Sequence, residues 1–147
     1  MKRTILVAAA LIAPALCVSP ALAQKESKQG DGKVGAYEPP FPTKMTWVLS
    51  SINGKPGAAE ATLFIDETLR GSGNAGCNTW SATLYPIRGK KLAMGPVAMT
   101  KKACPAPLMA FERAYLSVLA TGPSWDLAGS TLTVKSKAGT LVFNRGL

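Results

Sequence analysis

The residues Gly71-Ser72-Gly73-Asn74-Ala75-Gly76 match the pattern G-x-G-x-x-G, which could hold the pyrophosphate of a dinucleotide. Such glycines work where they join a strand to a helix whose N-terminal N–H groups face the phosphates. Here the next residues, "CNTWSATLYPI", alternate in polarity and predict a strand. No acid lies between Glu67 and Glu112 to bind a ribose. We therefore predict no nucleotide cofactor and a structural role for Gly71, Gly73 and Gly76 in a β-hairpin.

Few side chains are available for catalysis. The sequence has no histidine, which removes the usual general base and most zinc sites. The acids outside the N-terminal segments are Glu60, Asp66, Glu67, Glu112 and Asp126. Carboxylates distant in sequence can meet in space, so a hydrolase using Asp66 or Glu112 is the disfavoured alternative. The sequence predicts a protein that is not an enzyme, without catalytic residues, metal or cofactor.

The first 23 residues have the three parts of a secretory signal. Lys2 and Arg3 precede an apolar run from Ile5 to Ala13, and Ala21-Leu22-Ala23 supplies small residues for cleavage. The run is shorter than the ~20 apolar residues of a membrane span. We predict cleavage after Ala23 and release into the periplasm.

Cys17 raises an alternative, because bacterial lipoproteins are cut just before a cysteine that is then acylated. Leu16 stands where that signal needs a small residue. An outer-membrane lipoprotein anchored through Cys17 is therefore the less favoured prediction.

The rest of the chain has the size of one domain. Residues 24–43 are rich in Lys, Gly and Pro and predict a disordered leader. Residues 44–147 are then a single folded domain, for which we expect a monomer.

Two cysteines, Cys77 and Cys104, follow the signal segment. An even number in an exported chain favours a disulfide, and buried free thiols are the alternative. Pairing would close a loop of roughly 28 residues, for which chain entropy gives about 3 to 4 kcal/mol.

The charge is basic and unevenly distributed. Without Lys2 and Arg3, the 17 basic residues become 15 against 8 acids, a net charge of +7. Six basic residues fall in an acid-free stretch that begins at Thr68 and ends before Glu112: Arg70, Arg88, Lys90, Lys91, Lys101 and Lys102. They form a candidate surface for an anionic lipid or an acidic protein, with peripheral membrane contact as one form, and a merely solvated face is the alternative. Nucleic acid is not expected for an exported chain.

Short alternating segments separated by Gly, Pro and Asn predict an antiparallel sheet with one buried face. The predicted strands are Trp47–Ile52, Ala61–Asp66, Leu69–Ala75, Asn78–Ile87, Lys91–Met94, Val97–Lys101, Ser124–Leu127, Thr131–Lys135 and Thr140–Asn144. The segment Asn53-Gly54-Lys55-Pro56 predicts a turn after the first of them.

One segment, Ala106 to Ala120, predicts an amphipathic helix. Its apolar face carries Leu108, Phe111, Tyr115, Val118 and Leu119, and we expect Glu112, Arg113 and Ser117 on its polar face. The fold class is therefore mainly β with one helix that plugs a curved sheet.

Four segments of the chain resemble the META-domain family, whose bacterial members include heat-inducible HslJ-like proteins. They are "WVLSSINGKP" (47–56), "GSGNAGCNTWSATLY" (71–85), "LAMGPVAMTKKACP" (92–105) and "LTVKSKAGTLVFNR" (132–145). The matching motif residues are Asn53, Gly54, Gly71, Gly73, Gly76, Asn78, Met99 and Thr100, with cysteines at Cys77 and Cys104.

The resemblance implies a small, cracked antiparallel β-barrel or half-cone packed on one helix, and it supports the Cys77–Cys104 bridge. It implies an envelope protein associated with heat shock or novobiocin resistance, without enzymatic activity. We expect a periplasmic protein that supports stress tolerance by binding an unidentified envelope protein or lipid. The alternative is a small carrier that holds a lipid or hydrophobic peptide between sheet and helix, as pilot proteins do.

Overall fold

The structure is a computed structural model that describes residues 38–146. The predicted signal peptide, the Cys17 alternative and residues 24–37 of the predicted leader lie outside the described residues.

Ten strands and one helix follow each other along residues 38–146. They are β1 Thr46–Ile52, β2 Lys55–Pro56, β3 Thr62–Ile65, β4 Arg70–Asn74, β5 Thr79–Ile87, β6 Lys91–Met94, β7 Ala98–Met99, α1 Ala106–Ala120, β8 Ser124–Ala128, β9 Thr131–Ser136 and β10 Gly139–Arg145.

Eight of these strands form a closed antiparallel barrel. Neighbours pair in the order β10-β9-β8-β6-β5-β4-β3-β1, and β1 pairs with β10 to close it. β2 and β7 are additional strands on β1 and β5. The loosest junction lies between β6 and β8, where the ladder contains the single pair Lys91 and Ser124. The predicted mainly β class and the barrel implied by the family resemblance are confirmed, and this junction is the crack.

Alternation along β5 shows why the barrel has one buried face. Trp80, Ala82 and Leu84 are buried, whereas Thr79, Thr83 and Tyr85 on the alternate positions are exposed. Successive strand side chains point to opposite faces, so period-two sequence places every second residue in the core.

The helix α1 begins and ends at the predicted residues and packs against the barrel. Its apolar stripe is buried, and the ring of Tyr115 lies between those of Trp80 and Phe143, with centroids 6.4 and 6.2 Å away. The Tyr115 hydroxyl donates to the carbonyl oxygen of Thr62 at 2.8 Å, which satisfies a buried polar group. Among residues 38–146, no helix has both the length and the apolar character needed to cross a bilayer.

Residues 38–43 correct the predicted leader, because they pack on the barrel. Phe41 is only 4% exposed, and its ring meets that of Trp125 edge-on at 5.1 Å. The Glu38 carboxylate accepts hydrogen bonds from the backbone N–H groups of Gly89 and Lys90. Composition alone suggested disorder for this segment, but one aromatic ring and one carboxylate attach it to the fold.

Candidate functional site

A disulfide between Cys77 and Cys104 joins the turn before β5 to the segment that precedes α1. The two Cα atoms are 6.2 Å apart, and the cysteines are separated by 27 residues in sequence. The predicted pairing is confirmed, and the alternative of two free thiols is wrong. The bridge ties residues 100–104, which follow β7, to the wall of the barrel.

Asn78, beside the disulfide, is buried, and its side chain makes hydrogen bonds to two other segments. Its Oδ1 accepts from the Thr100 hydroxyl at 2.7 Å and from the Lys102 backbone N–H at 2.8 Å. Its Nδ2 donates to the Glu112 carboxylate at 3.3 Å. Asn78, which directly precedes β5, therefore connects this strand to the segment after β7 and to the helix. An amide side chain suits this position because it carries both an acceptor oxygen and a donor nitrogen.

Asn78, Thr100, Lys102 and Glu112 form a polar cluster, and Glu112 is its buried acid. It is 5% exposed, and its Oε2 accepts a hydrogen bond from the backbone N–H of Asn78 at 2.8 Å. We predicted Glu112 on the polar face of α1, and that prediction is wrong. The helical spacing could have shown this. Glu112 stands four residues after Leu108 and seven before Leu119. At about 100° of rotation per residue, these separations place Glu112 beside the apolar stripe.

The glycines of the G-x-G-x-x-G segment lie in β4 and in the turn that leads into β5. A Cβ on Gly73 would overlap the carbonyl oxygen of Thr62, and one on Gly71 would overlap the Leu84 side chain. Gly76 has φ +99°, and a Cβ there would lie 2.8 Å from the Phe111 ring. The segment joins two strands, so it has no helix N-terminus to hold a pyrophosphate.

Asn53 and Gly54 form the two-residue turn between β1 and β2, with φ 52° and 75°. The Asn53 Oδ1 accepts a hydrogen bond from the Thr140 N–H at 2.9 Å, which ties this turn to β10. Lys55 and Pro56, predicted as part of the turn, pair with β1 instead. These motif residues hold the barrel together at a distance from the polar cluster.

The six basic residues are spread along the full length of β5. Lys101 and Lys102 follow Thr100, whose N–H bonds to Thr79 at the start of β5. At the other end of β5, Arg88 and Lys90 lie in the turn, and Lys91 begins β6. The strand has 9 residues, and the steps between its first and last residue, at about 3.3 Å each, separate the two groups by roughly 26 Å. Arg70 pairs with Thr83 midway between them. The six basic residues therefore form two separate basic groups and one isolated arginine. In one of these groups, Lys90 also binds the Asp126 carboxylate.

Most acids have structural partners. The backbone N–H of Arg70 and the Thr68 hydroxyl bind the Asp66 carboxylate and lower its pKa. Lys90 likewise lowers the pKa of Asp126, and Glu67 pairs with Lys44. Nowhere in residues 38–146 do three or more histidine, cysteine or acidic side chains gather as a metal site would require. Asp66, Glu67, Glu112 and Asp126 therefore serve a turn, two ion pairs and the polar cluster.

An open apolar cleft lies beside the polar cluster, between β7 and α1. One half, of about 340 Å³, is lined by residues that include Val97, Met99, Arg113 and Leu116. The other half, also about 340 Å³, is lined by residues that include Met99, Met109, Lys101 and Lys102. Both halves share Met99 and Glu112, so they adjoin. The carrier alternative expected a binding site between sheet and helix, but the sequence did not predict that β7 meets the helix or which residues line the cleft.

A family profile identifies the architecture. The profile of the META domain matches residues 42–146, most of the chain. This chain belongs to the META-domain family.

Solved structures agree on the fold. One protein with an NMR structure has 27% sequence identity to this chain and a TM-score of 0.58. The match covers 68% of this chain and 87% of that chain. An NMR structure of a protein from Burkholderia xenovorans is 23% identical, with a TM-score of 0.56 over 75% of this chain and 92% of that chain. No curated protein matches this chain significantly. These solved structures support the barrel fold.

Proposed function

We propose that this META-domain protein is a non-enzymatic binding protein of the cell envelope, exported by its N-terminal segment and cleaved after Ala23. It supports tolerance of heat, novobiocin or envelope stress by binding an envelope protein or lipid. The observation that carries the proposal is the open cleft between β7 and α1, whose apolar side chains Val97 and Met99 are 36% and 37% exposed. Exposed apolar groups that line one concave site favour binding.

The polar cluster supports a binding function over catalysis. Asn78 and Glu112 bond to each other, and the remaining Asn78 acceptor is occupied by Thr100 and Lys102. A catalytic acid needs a free oxygen directed at a substrate, whereas this carboxylate holds the cleft wall in place. The disulfide supports an oxidising compartment such as the periplasm.

The second candidate, a carrier of a lipid or hydrophobic peptide, is favoured by the same cleft. The barrel interior contains the fully buried side chains of Trp47, Tyr115 and Phe143. A ligand held between sheet and helix would therefore lie in the surface cleft. Native mass spectrometry of protein purified from cells should show a bound lipid or peptide, and protein that is repeatedly empty would count against the carrier.

A deletion strain tests the proposed function. We expect reduced survival under heat, novobiocin or envelope stress, restored by the wild-type gene and not by Met99→Asp, which places a charge in the cleft. Lys135→Glu, an exposed change on β9, should restore it as a control. Wild-type growth of the deletion strain under all three stresses would refute the proposal. A folded Asp66→Asn protein that fails to complement would favour the hydrolase alternative.

The mass of the exported protein tests its processing. We expect an N-terminus at Gln24 and a mass about 2 Da below that of the dithiol, because pairing removes two hydrogens. Acyl groups on Cys17 would refute cleavage after Ala23.

A further inference from the structure

The outer edge of β7 is unpaired in the part of the chain that the structure describes, where β7 pairs with β5 alone. The Thr100 N–H donates to Thr79 on β5 at 3.1 Å. Backbone groups of successive residues in an antiparallel strand point to opposite sides, so those of Met99 and Val97 point away from β5. This edge runs along the cleft that Val97 and Met99 line.

We propose that the cleft takes an extended peptide segment of a partner protein, added as a strand to the edge of β7. Its apolar side chains would fill the two halves of the cleft, and an acidic residue would face Lys101 and Lys102. This inference rests on the proposed function and names the partner's chemistry. Strand addition joins backbone hydrogen bonds, which supply affinity, with side-chain pockets, which supply specificity.

The apolar lining suits alternating side chains of a peptide. Met99 stands where the two halves of the cleft meet, with Val97 and Leu116 in one half and Met109 in the other. Methionine side chains are flexible and polarisable, so they adapt to differently shaped apolar groups. Each half, at about 340 Å³, has room for side chains and not for a folded domain.

The charges around the cleft select an acidic partner. Lys101, Lys102 and Arg113 line it and are exposed. Glu112 is the acid among the lining residues, and both of its carboxylate oxygens accept hydrogen bonds from Asn78.

A peptide fits the β7 edge better than an acyl chain does. A lipid tail lying on Val97 and Met99 would cover their outward N–H and C=O groups without bonding to them. Burying a polar backbone group without a partner costs free energy, whereas an added strand satisfies it.

The edge is held ready for a partner by the polar cluster. The disulfide fixes Cys104, and Asn78 bonds to Thr100 and Lys102, so the residues after β7 are tied down at three points. A strand fixed in its bound conformation loses less entropy when a peptide binds.

Selection from a random phage-displayed peptide library of about 12 residues tests the inference, using the full exported protein with its disulfide intact. We expect enriched peptides that alternate apolar residues and carry an acid at one end. The double variant Lys101→Glu/Lys102→Glu should bind a synthetic enriched peptide about tenfold or more weakly. Lys135→Glu/Lys137→Glu, the same charge change on exposed residues of β9 and its following turn, should bind it as the wild type does.

Methylation of alternate backbone nitrogens in the peptide separates strand addition from general apolar binding. We expect it to weaken binding about tenfold or more, because it removes the peptide N–H groups. A methylated peptide that binds unchanged, a library without enrichment, or peptides that bind the Lys101→Glu/Lys102→Glu protein equally well would each overturn the inference. Circular dichroism and urea midpoints matched to wild type establish that the variants are folded.

Lipid probes distinguish this inference from the proposed function. Oleate, or vesicles of phosphatidylcholine and phosphatidylglycerol, should leave the NMR signals of Met99 and Leu116 unchanged. If a lipid shifts these signals and the library yields no enriched peptide, the peptide inference is overturned, but the proposed binding function stands. Failure of both probes, together with a deletion strain that grows normally, would refute the proposed function as well.

Discussion

Replacing Asn78 by alanine removes the side chain that joins three parts of the polar cluster. It breaks the hydrogen bonds to Thr100 at 2.7 Å, to Lys102 at 2.8 Å and to the Glu112 carboxylate at 3.3 Å. Neutral bonds contribute about 1 kcal/mol each and a bond to a charged group about 1.5 to 3 kcal/mol. Because two of the three bonds are partly buried, we expect a loss of about 3 to 4 kcal/mol in the free energy of unfolding. For a domain of this size, that lowers Tm by about 15 °C.

Urea unfolding of the oxidised protein, followed by tryptophan fluorescence, measures this loss. Asn144→Ala is the matched control, because Asn144 is exposed on β10, and it should cost less than about 0.5 kcal/mol. An Asn78→Ala protein that loses less than about 1 kcal/mol would refute the view that the cluster stabilises the cleft wall.

Asn78→Asp tests the same cluster through charge. The change replaces the Nδ2 donor, 3.3 Å from Glu112, with an oxygen, so two carboxylates face each other. Their repulsion should destabilise the variant at neutral pH. Acid relieves this repulsion, so the difference from wild type should shrink as the pH is lowered from neutral.

Three further changes test separate features. Cys77→Ser/Cys104→Ser should lower the free energy of unfolding by about 3 to 4 kcal/mol, read from the urea midpoint; an unchanged midpoint would refute the entropic argument. Gly73→Ala should cost at least about 2 kcal/mol more than Gly95→Ala, whose added Cβ would have its nearest neighbour at 3.5 Å; equal costs would contradict the close approach to Thr62. The lowered pKa of Asp66 gives stability that is present above about pH 4 and lost as the pH falls through the folded pKa. The Tm difference between wild type and Asp66→Asn should therefore narrow as the pH falls below about 4, and a constant difference would refute this origin.

Local patterns predicted much of the fold. The period of two along β5 and the apolar stripe from Leu108 to Leu119 depend on neighbours in sequence, so both elements could be read directly. The pairing of Cys77 with Cys104 was predictable because two cysteines after the signal segment allow one bridge.

The predictions that failed depend on distant partners. Composition marked residues 38–43 as a leader, yet Phe41 finds Trp125, a contact across more than 80 residues of sequence. Glu112 looked polar and solvent-facing because a carboxylate is rarely buried, but Asn78 supplies both of its donors. The six basic residues looked like one surface because they share an acid-free stretch, whereas the length of β5 separates them.

Sequence therefore accounts for the main elements of this protein: which segments form the strands of the barrel, where the helix begins and ends, and which face of each strand is buried. It also restricts the chemistry, because a chain without histidine has few routes to catalysis. The cleft depends on the closing of the barrel, which brings the free edge of β7 beside α1. Side-chain periodicity records which face of an element is buried, but it does not record which strand edges stay unpaired or which distant donors meet a buried acid.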